Sequence, residues 1–143
     1  MKSYRVLILI GLLVYVISFF LIAVRGTGLS LEGYKCALVT LLTPWGSDGV
    51  RMLRESPLDF FSTLFSGWIN PVFLITTVIL LIRPNSGLGA ILRVVVLLMF
   101  PACWLVFYKE HFRPGEAYFL WTAAMVLVLF SNKLIRTPST RAA

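Results

Sequence analysis

Long apolar runs separated by short polar segments dominate the pattern along this chain. The first run, residues 6–24, carries no charged side chain, and at about 1.5 Å per residue it can cross a hydrocarbon core of about 30 Å. Three further runs cover residues 58–82, 88–108 and 115–134. The pattern therefore predicts an all-α, polytopic membrane protein with four transmembrane helices, folded as a single bundle over residues 1–136.

The flanks of these runs resemble ordinary helix boundaries. Pro57 precedes the second run and Pro84 follows it, and proline suits the first turn of a helix but disfavours helical geometry in the residue before it. The fourth run reaches full length only if a helix opens at Pro114. A basic N-terminus precedes the first run, as in a signal peptide. The run is longer than a signal-peptide core and ends without a small-residue cleavage site, so we expect an uncleaved helix.

Residues 25–57 form the longest segment with polar residues, and they connect the first two predicted helices. From Ser30 onward apolar positions recur at helical spacing, which predicts a short helix over 30–43 lying on the membrane surface, with Ser30 as its N-cap. Trp45 follows as an interfacial anchor. The Pro- and Gly-containing residues 44–49 predict a turn.

The composition supports a membrane location. Hydrophobic residues make up 59% of the chain, charged residues 13%, and the mean hydropathy is +0.90, whereas ordinary soluble domains are about 25% charged. The net charge of +7 would suit nucleic acid in a soluble protein. Here the basic residues lie at the ends of apolar runs and do not alternate with aromatic side chains, so we expect no nucleic-acid partner and assign them to topology and lipid headgroups.

The distribution of Lys and Arg predicts the orientation. On the side that would hold both termini they crowd against helix ends, whereas on the other side most are spread through residues 25–57. By the positive-inside rule, the N- and C-termini are expected to be cytoplasmic. All six acidic residues fall on the opposite, outer side, in agreement with this orientation. The tail, residues 137–143, is expected to be disordered.

Enzymatic and metal-binding signatures are scarce in this sequence. It contains no HExxH, GxSxG, P-loop or GxGxxG motif. Cys36 and Cys103 make no CxxC pair, and His111 is the single histidine. The sequence therefore predicts a protein that is not an enzyme and that holds no metal or cofactor.

The most informative dipeptide, Asn70-Pro71, lies in the middle of the second predicted helix. Pro71 has no backbone N–H, so the carbonyl of Gly67 loses its helical donor and must be satisfied inside the protein. Asn70 would satisfy it locally or bridge to another helix. Two interpretations stay open: a packed structural kink, and a hinge that serves a small-ligand or ion site. Pro101 repeats the arrangement in the third helix.

Aromatic side chains concentrate in the outer halves of the predicted helices, where many form an interfacial belt. Trp68 and Trp104 lie deeper than such a belt. They either line a cavity that opens to the outer leaflet or pack within the bundle.

The outer hairpin over residues 109–116 is rich in ionisable groups. With Asp59 at a neighbouring helix end, its side chains would form a polar cap that a substrate or partner recognises; a solvated loop is the alternative. The candidate residues of the hairpin are His111, Arg113 and Glu116.

Three segments carry a resemblance to a known group of proteins. They are Gly33-Tyr34-Lys35-Cys36, Ile69-Asn70-Pro71 after a Gly-Trp, and Gly115-Glu116-Ala117-Tyr118-Phe119-Leu120-Trp121. Together they resemble segments of small, uncharacterised four-helix bacterial inner-membrane proteins, in which an aromatic opening of the last helix and an Asn-Pro in the second recur. The resemblance covers most of the chain in order. It implies a bacterial inner-membrane location and a four-helix bundle, and it implies no activity.

Two functional hypotheses follow. The first is a non-catalytic inner-membrane bundle of accessory, assembly or immunity type, recognised through its outer loop and hairpin. Its partners would be the lipid bilayer and another membrane protein or a second copy. The alternative is a transporter or channel subunit, or a lipid or small-molecule binder, that uses an outer cavity between kinked helices.

Overall fold

The computed structural model describes residues 3–26, 28–109 and 112–134. Most of them are helical, which confirms the predicted all-α class. The helices are α1 (Ser3–Ser18), α2 (Gly33–Leu42), α3 (Ser47–Glu55), α4 (Pro57–Ile82), α5 (Gly87–Lys109) and α6 (Glu116–Leu134), with a 3₁₀ turn at Thr43–Trp45. The strands are β1 (Ile22–Gly26), β2 (Leu29–Glu32) and β3 (Arg113–Pro114).

The four long helices share one hydrophobic core. Helix α1 packs along α6, and α4 packs along α5. A Cβ at Gly11 of α1 would lie 2.5 Å from Cγ2 of Val128 in α6, so glycine allows this close helix contact. Both pairs bury side chains in the same cluster. Its fully buried members include Ile8, Ile69, Phe73, Leu80, Val96, Met125 and Val128.

The first predicted helix, residues 6–24, is shorter than expected, because α1 ends at Ser18. The chain then turns, and the carbonyls of Phe19 and Leu21 accept hydrogen bonds from the backbone N–H groups that open α2, at 3.0 and 2.9 Å. The remaining apolar residues form β1, where β-branched side chains suit an extended backbone. An apolar run long enough for one span is therefore divided between a helix and a strand.

The strands form a small antiparallel sheet in the order β2-β1-β3. Strand β1 pairs with β2 through Val24 and Leu31, and with β3 through Arg25 and Arg113. Gly115 N–H also donates to the carbonyl of Ala23 at 2.8 Å. The sheet thus connects the segment after α1 to the segment before α6.

A helix is found in the segment 30–43, as predicted, but this helix, α2, begins later, at Gly33. Ser30 lies in β2, so its prediction as N-cap is wrong, and Glu32 takes that position without a side-chain cap. Residues 44–49, predicted as a turn, contain the end of the 3₁₀ turn and then the start of α3. The sequence did not predict this helix.

The three later helices match their predicted bounds to within one residue, but Pro114 lies in β3 and does not open α6 as predicted. Helix α4 and the Gly87–Leu105 part of α5 are long and apolar enough to cross a membrane, judged by length and composition, and α1 and α6 contain shorter apolar stretches. The helices continue through Pro71 and Pro101. The predicted disordered tail lies outside the described residues.

Candidate functional site

A cavity of about 80 Å³ lies where the four-helix core meets the sheet and α2. Its wall combines the C-terminal end of α1, β1, α2, and the facing turns of α4, α5 and α6. Most of the wall is apolar or built from small side chains. The described lining residues include no carboxylate, histidine, lysine or arginine. The cavity therefore suits neutral, largely apolar groups.

Asn70 is the lining residue with the most defined polar environment. Its Oδ1 accepts a hydrogen bond from Tyr15 Oη of α1 and another from Trp121 Nε1 of α6, both at 2.9 Å. The indole N–H of Trp121 only donates, so the oxygen of the amide must face it and the orientation of the amide is fixed. The predicted bridge from Asn70 to another helix is therefore present, and it reaches two helices.

The alternative role of Asn70, local compensation of the Gly67 carbonyl, is not seen among the hydrogen bonds of the described residues. Gly67 has another role. A Cβ at this position would lie 2.5 Å from the Thr40 carbonyl oxygen and 2.7 Å from Leu41 Cα. Helix α2 thus rests directly on the backbone of α4. This close contact holds α2 over the cavity.

An aromatic cluster forms the α5–α6 side of the site. Trp121 stacks on Phe100 with ring centroids 5.7 Å apart and an interplanar angle of 6°. Tyr118 contacts Trp104 edge to face at 4.9 Å, and its hydroxyl donates to the Cys103 carbonyl at 2.7 Å. These contacts fix the rings of Trp121 and Tyr118, which both line the cavity.

The two tryptophans for which the sequence leaves open either lining a cavity or packing in the bundle do not line this cavity. Trp68 is 42% exposed on the outside of α4, and Trp104 lies behind Tyr118. Trp121 and Tyr118 were not among the predicted candidates, because they lie in the aromatic opening of α6, where the sequence resembles an interfacial belt. Their spacing of one helical turn was the available signal that they share a face.

The two cysteines both line the cavity although they are far apart in sequence. Both are free thiols, with Cys103 buried and Cys36 half-buried. Burial raises the pKa of the Cys36 thiol, so this group stays neutral and a weak nucleophile near pH 7. Among the described residues, no group of three or more metal-ligating side chains is found.

The predicted polar cap takes a different form. Glu116 forms an exposed ion pair with Arg25 of β1, a partner that the sequence did not suggest. Arg113 is exposed in β3 and pairs with β1 through its backbone. Asp59 lies half-buried in the first turn of α4. His111 lies outside the described residues. Arg113 and Glu116 thus lie at the sheet rather than at the cavity.

The prolines also lie apart from the cavity wall. Pro71 is half-buried directly after Asn70, and Pro101 is exposed on α5. Of the predicted candidate residues, Asn70 alone belongs to the described wall of the cavity. Comparison with known protein families, with curated proteins and with solved structures finds no match to this chain, so its function is inferred from the geometry of the site.

Proposed function

We propose that this chain is a four-span membrane protein that binds a small, neutral, largely apolar molecule in the cavity beneath α2. The membrane location is supported by the exposure of its apolar helices. Only 33% of the apolar window of α4 and 22% of that of α5 are buried. A core helix of a soluble protein would be mostly buried, and neither helix lies near the N-terminus as a signal sequence would.

Helix lengths support a position of the cavity within the bilayer. Asn70 and Tyr15 each lie twelve residues from the helix end opposite the sheet, at Ile82 and Ser3. At about 1.5 Å per residue, the level of Asn70 is about 18 Å from that end. A hydrocarbon core of about 30 Å then extends about 12 Å further toward the sheet. In the predicted orientation, the cavity lies in the outer half of the bilayer.

The observation that carries the binding proposal is the combination of an apolar space with one rigidly oriented amide. Ligand sites are typically concave and mostly apolar, with a few polar groups that fix the orientation of the ligand. Asn70 is such a group, since Tyr15 and Trp121 hold its amide. The lining contains thiols but no described base beside them, which favours binding over catalysis.

A cavity-filling substitution tests this proposal. Ala37→Leu adds a bulky side chain to the wall, and Ala90→Leu makes the same change at an exposed position of α5. Each protein is purified from its host membrane in mild detergent, and bound small molecules are extracted and identified by mass spectrometry. We expect a molecule retained by the unchanged protein and by Ala90→Leu but lost from Ala37→Leu. Equal extracts from all three proteins would contradict binding in the cavity.

The outer surface favours a second candidate, the accessory or assembly role. The segment before α4 is folded, yet it exposes a group of large apolar side chains. Cross-linking from position 45 in host membranes tests this role, with position 91 on α5 as the control. A protein partner captured only from position 45 supports it, and capture of lipid alone contradicts it. The exposed group comprises Leu42 (63%), Trp45 (70%) and Val50 (56%).

A further inference from the structure

Most polar groups in the cavity wall are already used within the protein. Ser18 Oγ donates to the Tyr15 carbonyl at 2.6 Å, and Thr40 Oγ1 donates to the Cys36 carbonyl at 3.0 Å. The hydroxyl of Tyr118 is used by the Cys103 carbonyl. These hydroxyl protons are therefore not available to a ligand.

One polar group of α4 remains. Because both donors bind Asn70 Oδ1, the two N–H groups of Nδ2 point elsewhere, and Nδ2 donates to none of the described residues. Ser66 lies one turn earlier, but its Oγ is fully buried and out of reach of a ligand. The N–H groups of Asn70 Nδ2 are thus donors that a ligand with an acceptor atom can use.

The cavity also limits the charge of that acceptor. An ionised ligand would be desolvated without a counter-charge, because the described wall carries none. A space of about 80 Å³ holds a small molecule, equivalent to roughly five water molecules. The ester carbonyls of ordinary lipids lie at the edge of the hydrocarbon core, about 12 Å from the level of Asn70.

We propose, on the basis of the binding function above, that the ligand is a small neutral carbonyl compound dissolved in the bilayer. Its oxygen accepts a hydrogen bond from Asn70 Nδ2. The apolar remainder of the ligand lies against Phe107 and the small side chains of α2. Asn70 therefore selects the ligand by its oxygen.

A matched pair of probes tests the role of the oxygen without changing the protein. Cyclopentanone and methylenecyclopentane share a ring and a shape, and differ in a C=O in place of a C=CH₂ group. The full-length protein in lipid nanodiscs is melted at equal bilayer concentrations of each probe, and affinities follow from the shift in midpoint. We expect the ketone to bind about two- to tenfold tighter, as one net hydrogen bond provides. Infrared spectra of ¹³C-labelled ketone should show a bound carbonyl band at lower wavenumber.

The outcomes separate this inference from the proposed function. Equal affinities for the two probes, or an unshifted carbonyl band in the bound ketone, overturn the role of Asn70 as a carbonyl donor while binding in the cavity stands. Binding of neither probe overturns both proposals. Ala37→Leu should abolish binding of both probes, and Ala90→Leu should leave both unchanged.

Discussion

Asn70 Oδ1 shows how a single polar atom can organise the interior of this bundle. It accepts from α1 and α6 at the same level, while its own helix supplies the backbone. A buried amide in an apolar core costs free energy unless it is hydrogen-bonded, and here its oxygen is satisfied twice. In turn, the hydroxyl of Tyr15 and the indole N–H of Trp121 have Asn70 Oδ1 as their acceptor.

Replacing Asn70 by Leu should therefore destabilise the protein, because two donors lose their acceptor. Membrane hydrogen bonds average about 0.6 kcal/mol, so we expect a loss of about 1–2 kcal/mol. Thermal melting in detergent measures it. Asn85→Ala is the control, since Asn85 is exposed in the turn between α4 and α5. A melting midpoint for Asn70→Leu equal to that of the control would refute the structural role.

Gly67 and Gly87 provide a matched pair of helical glycines. A Cβ at Gly67 would overlap the backbone of α2, whereas a Cβ at Gly87 has no atom within 4 Å. Gly67→Ala should cost about 1–3 kcal/mol through overpacking, and Gly87→Ala should be neutral or stabilising. Gly67→Ala should also move α2 away from α4 and thereby speed the alkylation of Cys36 by N-ethylmaleimide. If both variants react and melt alike, α2 does not rest on α4 as described.

At the scale of elements, the sequence predicts the long helices well and the outer segments less well. The sequence predicts one helix over residues 6–24, because Ile22, Ala23 and Val24 are as apolar as the residues before them. Their conversion to a strand depends on pairing with Leu31 and Glu32 of β2 and with Pro114 of β3, which is distant in sequence. Local periodicity carries no information about such a partner.

Helix α3 and the residues that build the cavity wall, apart from Asn70, were not predicted, for related reasons. Gly46 and Gly49 read as turn residues, yet Gly49 is buried in α3, where a Cβ would lie 2.2 Å from the Pro44 carbonyl oxygen. The cavity arises only after the sheet directs α2 back onto α4. Asn70 could be identified from the Asn-Pro dipeptide alone. Its partners Tyr15 and Trp121 could be identified only once the packing of α1, α4 and α6 was known.

The connection of the sheet to α6 yields a prediction about two adjacent residues. A Cβ at Gly115 would lie 2.2 Å from the Ile22 carbonyl oxygen, so Gly115→Ala must separate β1 from β3. Glu116→Gln removes only an exposed ion pair, which is worth less than about 1 kcal/mol. In detergent melts we expect a clear loss for Gly115→Ala and almost none for Glu116→Gln. The reverse order would show that the ion pair, and not the backbone contact, holds the sheet to α6.

For the whole molecule, the sheet, α2 and α3 lie at one end of the bundle, and the turn between α4 and α5 lies at the other. This arrangement agrees with the orientation predicted from Lys and Arg, in which the sheet faces outward. The short α1 is compatible with a span, because β1 and α2 continue the structure where the helix stops. Orientation in the membrane stays a prediction, and it decides from which side a ligand enters.

Cysteine labelling tests this orientation. In a background with Cys36 and Cys103 replaced by Ala, single cysteines are placed at 48 in α3, 112 before β3 and 85 in the α4–α5 turn. Positions 48 and 85 are exposed and 112 is half-buried, so each can react once the reagent reaches its side.

Charge bias fixes topology at insertion, so a membrane-impermeant maleimide added to intact cells should label 48 and 112 but not 85. Permeabilised cells provide the control, in which 85 must also react. Labelling of 85 in intact cells, with 48 and 112 protected, would invert the topology and place the cavity in the inner half of the bilayer.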